Sequence, residues 1–162
     1  MALHATRNDL PETTRAKIAE LLNARLADAL DLQTQMKQAH WNVKGPNFIA
    51  LHELFDKITE EVEEYVDDLA ERVVQLGGTA NGTARQTAKA TTLPEYPLNI
   101  TNGRDHVVAV ATALAHFGKV ARAAIDAAGE LKDADTADLL TGISRGVDKS
   151  LWFVEAHTQA ER

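Results

Sequence analysis

The chain has 162 residues, the size of one domain and enough to bury about two thirds of its unfolded surface. It has no cysteine, which excludes a disulfide framework, a zinc ribbon and a thiol nucleophile and leaves His, Asp and Glu to hold any metal. With 24 acidic against 17 basic residues and a net charge of -7, it lacks the basic excess of a generic nucleic-acid binder, and cations are the expected partners.

The opening residues MALHATRNDLPETTR have no apolar core of a signal peptide, and no apolar run is long enough to span a membrane. A soluble cytoplasmic chain is therefore expected, a single domain over 1–162 with a short flexible tail at about 1–10. The N-x-T triplets at Asn81 and Asn99 are then chance matches. Thr13 or Thr14 is placed to cap a first helix carrying Ile18, Leu22, Leu26, Ala29 and Met36, with His40 one turn further on the same side. Gly45-Pro46 ends it.

Asn47 is a suitable cap for a second helix, along which Phe48, Leu51, Phe55, Ile58, Val62, Leu69, Val73 and Leu76 recur at three- and four-residue steps until Gly77-Gly78. A third helix begins near Asn102, carries Val107, Val110, Leu114, Ala121 and Ile125, and ends near Gly129. A fourth opens in the acidic stretch Asp133 to Asp138 and carries Leu140, Ile143, Val147, Leu151 and Val154. All four prolines fall outside these segments.

Between the second and third helices lies GGTANGTARQTAKATTLPEYPLNITNG, too long for a hairpin loop in a compact domain. A helix of about thirty residues is about 45 Å long, a span that roughly thirteen extended residues can cross. Short loops on either side imply two antiparallel helix pairs, and the long segment joins opposite ends. The expected fold is all-α, a ferritin-like four-helix bundle with a long crossover between helices 2 and 3.

On the second helix His52 and Asp56 stand four residues apart, as do Asp67 and Glu71, so each pair shares a face and can grip a cation. The pairs lie on one stripe but about 16 Å apart along the axis at 1.5 Å per residue. One centre cannot use both from the same helix. Two copies of the helix, antiparallel about a two-fold axis, would bring His52 and Asp56 of one subunit against Asp67 and Glu71 of the other, and symmetry would make two sites. His40 could add a nitrogen ligand. No lysine on the stripe compensates these acids, and the Glu-x-x-His motifs of di-iron bundles completed within one subunit are missing. A rival reading takes His52 to Asp56 as an HExxH zinc motif with its last histidine replaced, Glu53 serving as general base; Glu53 lies about 100° around the helix from the stripe.

At these residues the chain resembles a known family. KQAHWNVKGPNFIALHELFD, then Asp67 and DLAERVVQLGG, and DADTADLLTGISRGVDKSLWFVEAH in the fourth helix are similar to the signature of the Dps mini-ferritins, DNA-binding proteins from starved cells. The similarity runs from about Thr6 to His157. It implies a hollow dodecamer with ferroxidase sites at two-fold interfaces, His40, His52 and Asp56 coming from one subunit and Asp67 and Glu71 from its neighbour. It implies binding of ferrous iron, oxidation preferably with hydrogen peroxide, and storage of ferric mineral, which protects against oxidative damage.

Trp41, beside His40, reads either as a packing residue or as one that intercepts oxidising equivalents. Of Glu130, Asp133, Asp135 and Asp138, one is expected to cap the last helix, and the resemblance makes Asp135 and Asp138 pore acids that draw iron inward. The front end departs from DNA-compacting members: MALHATRND offers only Arg7 and a mostly neutral His4 where those carry a lysine-rich tail, which argues against direct DNA binding. The alternative is a DNA-compacting or structural shell with little ferroxidase activity.

Overall fold

Alternating three- and four-residue steps of apolar side chains become four long helices in the computed structural model, which describes residues 3–159. They are α1 (Glu12–Asn42), α2 (Phe48–Gln75), α4 (Gly103–Glu130) and α5 (Ala134–Gln159), with a short α3 (Ala84–Ala90) inside the crossover. Among the described residues there is no strand, only an isolated bridge between Lys44 and Asn102. Helix α1 packs along α2 and α4 along α5, and the pairs meet through α1 against α4 and α2 against α5. This is the expected bundle, and Leu22, Leu32, Phe55, Leu114, Phe117 and Leu140 meet in its core with almost no exposure. By length and composition α4 could cross a membrane; here its apolar side, from Val107 to Ala128, is buried in the bundle.

The start of α1 differs from expectation. Pro11 holds the N-cap position with φ -53°, no side chain caps the helix, and Thr13 and Thr14 lie inside its first turn. Proline enters a helix without an amide to leave unsatisfied, so a threonine cap is not required. Arg15 fixes this corner: Nε donates to the Leu10 carbonyl at 3.1 Å and Nη1 to the Leu76 carbonyl at 3.0 Å. Within residues 3–10, expected as part of a tail, the His4 amide donates to the Gly77 carbonyl at the end of α2, at 2.7 Å. Gly77 has φ +85°, and a Cβ there would stand 2.6 Å from the His4 carbonyl oxygen, so the approach requires glycine.

The crossover is fastened to one face of α1. Asn23 donates to the Thr79 carbonyl and accepts the Asn81 amide, Asp31 accepts the Thr91 hydroxyl, and Gln35 donates to the Pro94 carbonyl at 3.0 Å. At the centre Asp28 is fully buried and accepts both the amide and the hydroxyl of Thr92, at 2.7 and 3.0 Å, opposite a 2.8 Å ion pair with Arg25. Helix α3 buries no residue; it rests on the local helix preference of ARQTAKA, so it leaves no apolar period to read.

Asp28→Ala, which strands buried donors, is expected to lower stability by roughly 2–4 kcal/mol. Arg122→Ala, at a half-exposed pair with Asp148, should cost no more than about 1 kcal/mol. Denaturant unfolding midpoints of the two variants check both figures.

Candidate metal centre

The turn from α1 to α2 sets His40, in the last turn of one helix, against His52, in the second turn of the next. Their rings stack with centroids 3.7 Å apart and planes 22° from parallel. Each Nδ1 faces the other residue's backbone carbonyl, at 2.8 Å from His40 and 2.9 Å from His52. A carbonyl only accepts, so each Nδ1 carries the hydrogen, and the neutral form of each ring keeps its Nε2 lone pair for a metal. Backbone carbonyls thus orient both imidazoles as an outer shell orients metal-binding histidines.

Asp56 lies one turn beyond His52, its Oδ1 3.9 Å from His40 Nδ1. Its direct partner is the Lys37 ammonium of α1. Hydrogen bonding from Lys37 holds the Asp56 carboxyl below its ordinary range, desolvation opposes, and the nearby histidines and the lysine charge add to the lowering. The expectation that no lysine compensates the acidic stripe is therefore corrected: the compensating lysine comes from the neighbouring helix. It stands one turn before His40 on the same face, a spacing visible in the sequence.

His40, His52 and Asp56 are thus neighbours, whereas Asp67 and Glu71 sit exposed on α2 three turns away, about 16 Å along the axis. Among the described residues no group of three or more His, Asp or Glu side chains converges tightly enough to hold a metal ion. The HExxD zinc reading, which needs a full ligand set within one chain, has none among those residues. Trp41 is 68% exposed, so it does not serve the core of its own chain. With Lys37, Thr59, Glu63, Tyr96 and Leu98 it lines a groove of about 1020 Å³ along α1.

The acids near α5 divide by role. Asp133 is buried; its Oδ1 accepts the Thr136 amide at 3.0 Å and Arg72 Nη2 at 2.9 Å, and its Oδ2 accepts the Thr136 hydroxyl at 2.6 Å. It is the capping acid. Glu130, Asp135 and Asp138 are exposed.

Residues 19–162 match the family model described as a ferritin-like domain. The chain is 45% identical to the DNA protection during starvation protein of Agrobacterium fabrum, over 98% of both chains. Its fold is similar to that of Mycobacterium smegmatis Dps, with a TM-score of 0.90 and 32% identity over 95% of this chain and 94% of that one. Dps from Microbacterium arborescens in the high iron form gives a TM-score of 0.84 and 34% identity, covering 96% of this chain and 98% of that one.

Lys37→Met removes the main cause of the Asp56 shift, so the Asp56 carboxyl should titrate closer to the ordinary value of 3.8, as followed by carboxyl-carbon NMR. A depressed carboxyl stabilises the fold above its unfolded pKa, and that contribution is lost as pH falls through the folded value. The variant should accordingly lose less stability than wild type on acidification below the ordinary carboxylate range.

Proposed function

The chain belongs to the Dps family of ferritin-like proteins, and from that premise we propose that it is a cytoplasmic ferroxidase and iron store, working as a hollow dodecamer. One observation carries the reading. His40, His52 and Asp56 adjoin, while Asp67 and Glu71 stand exposed three turns along the same rigid helix, so a complete five-ligand set requires a second subunit. An antiparallel partner helix supplies the missing acids to each half-site at a two-fold interface.

Ferrous iron is the substrate and hydrogen peroxide the preferred oxidant. Two ferrous ions give one electron each, the peroxide O–O bond breaks, and two hydroxide ions leave. Imidazole nitrogen suits the ferrous ion, and the anionic oxygens of Asp56, Asp67 and Glu71 favour the more highly charged ferric product. An iron at Asp56 must displace the Lys37 ammonium, so binding exchanges one cation for another of higher charge. The ferric product is stored as mineral inside the shell. Removing both reagents of hydroxyl-radical chemistry protects nucleic acid without touching it, which accords with the name of the Agrobacterium relative. Among residues 3–10 Arg7 is the only lysine or arginine, which supports protection by chemistry over direct DNA binding. Exposed Asp135 and Asp138 serve in this reading as pore acids that attract iron.

Anaerobic loading with Fe(II) followed by peroxide should give ferric absorbance faster than buffer, and His52→Ala/Asp56→Ala should return it to the buffer rate. Wild type no faster than buffer would sink the proposal and leave a non-enzymatic shell. The shared site has its own check: a one-to-one co-assembly of His52→Ala/Asp56→Ala with Asp67→Ala/Glu71→Ala chains should recover about a quarter of wild-type sites, because half the dimers are mixed and each mixed dimer has one intact site. No recovery from properly mixed shells would contradict the shared site. Asp135→Asn/Asp138→Asn should slow iron uptake at low salt without altering assembly; unchanged kinetics would rule out the pore role.

A further inference from the structure

Tyr96 of the crossover and His106 in the first turn of α4 form a pair that iron binding does not use. Both are buried, at 8% and 1% exposure. The Tyr96 hydroxyl lies 2.6 Å from His106 Nδ1, and the two rings are near parallel with centroids 6.1 Å apart. With the ring hydrogen on Nε2, Nδ1 accepts from the phenol; Nε2 is buried with no well-formed hydrogen bond, although the Asn42 carbonyl lies near enough to act on the ring.

Burial raises the Tyr96 phenol far above its ordinary value, so losing a proton alone is costly here. Losing an electron alone is costly too, because it would leave a buried cation. Burial also keeps His106 neutral, with Lys44 acting in the same sense, so its Nδ1 lone pair is available. Asp105 and the Asn42 carbonyl act the other way and favour a protonated ring. Electron and proton leaving together avoid both costly states on the tyrosine and move the positive charge to His106, where Asp105 and the Asn42 carbonyl offset part of its cost.

We propose that Tyr96 and His106 act as a trap for one-electron oxidants of the hydroxyl-radical class. The phenol gives an electron to the radical, which becomes hydroxide, while the phenolic proton moves to His106 Nδ1, leaving a neutral tyrosyl radical beside an imidazolium. A further ferrous ion then returns the electron and His106 the proton, which restores the phenol. Tyr96 lines the groove that also holds Trp41 and Lys37, the partner of Asp56, so the pair opens onto the same groove as that lysine. The trap rests on the proposed function only for the source of its oxidant.

The chain contains two tyrosines, and Tyr65, whose hydroxyl end abuts Gly146, serves as the internal control. The iron-free assembled protein is oxidised by a photoexcited ruthenium complex with a sacrificial electron acceptor, and freeze-quenched samples are read by electron paramagnetic resonance. A tyrosyl signal is expected in wild type and Tyr65→Phe and absent in Tyr96→Phe. His106→Gln, which retains a hydrogen-bond partner but removes the base, should form it at least about tenfold more slowly. In wild type, deuterated solvent should slow its formation. A signal that persists in Tyr96→Phe, or formation indifferent to both His106→Gln and deuterium, overturns the trap. Because the oxidant is supplied externally, failure of ferrous oxidation in a parallel peroxide assay counts against the ferroxidase reading and leaves this result separate.

Discussion

A carboxylate with no solvent exposure, Asp28, is the point on which the path of the chain turns. An unpaired charge in that position would cost several kcal/mol, and the cost is offset only when the Thr92 amide and hydroxyl arrive on one side and Arg25 on the other. The crossover must therefore pass over α1 at Thr92, with Asn23, Asp31 and Gln35 fixing it before and after. That path delivers the chain to Asn102, whose side chain accepts the Asp105 amide to begin α4. The direction of the second helix pair, the wall of the groove and the meeting of Tyr96 with His106 all follow from it.

The long helices were legible because their signal is periodic and repeated over many turns, as in Leu51, Phe55, Ile58, Val62 and Leu69 of α2. What escaped reading depends on single contacts between distant segments. Asp28 and Asp31 look like a solvated acidic face in sequence, and nothing local distinguishes them from Asp67. Helix α3 buries nothing and so leaves no pattern. Pro11 could have been read as a helix start, since proline suits that position, but two adjacent threonines offered a competing cap. His40, His52 and Asp56 could be assembled from helical spacing and one short turn. Lys37 belonged to the same arithmetic, whereas Tyr96 with His106 did not, because a ten-residue separation across an irregular segment fixes no geometry.

The net charge of -7 also divides differently once burial is known. Asp28 and Asp133 are internal fasteners, each matched by an arginine, and they contribute little field outside the molecule. The acidity that faces solvent lies on α2 around Asp67 and Glu71 and at the start of α5 around Asp135 and Asp138. Two kinds of aspartate, alike in the sequence, thus stand in opposite settings: one set holds backbone in place, and the other faces solvent, Asp135 with Arg72 at 4.0 Å.

The ion pair of Lys37 with Asp56 has a consequence for the life history of the molecule. Many small metalloproteins leave their anionic ligands uncompensated and cannot fold until metal arrives. Here the chain carries its own counterion at Asp56, on the helix that also supplies His40, so that carboxylate does not need an external cation before α1 and α2 can pack. On the proposed ferroxidase reading, synthesis and folding can run ahead of metal supply, and a cell can hold a finished reserve through iron scarcity, ready for a sudden excess.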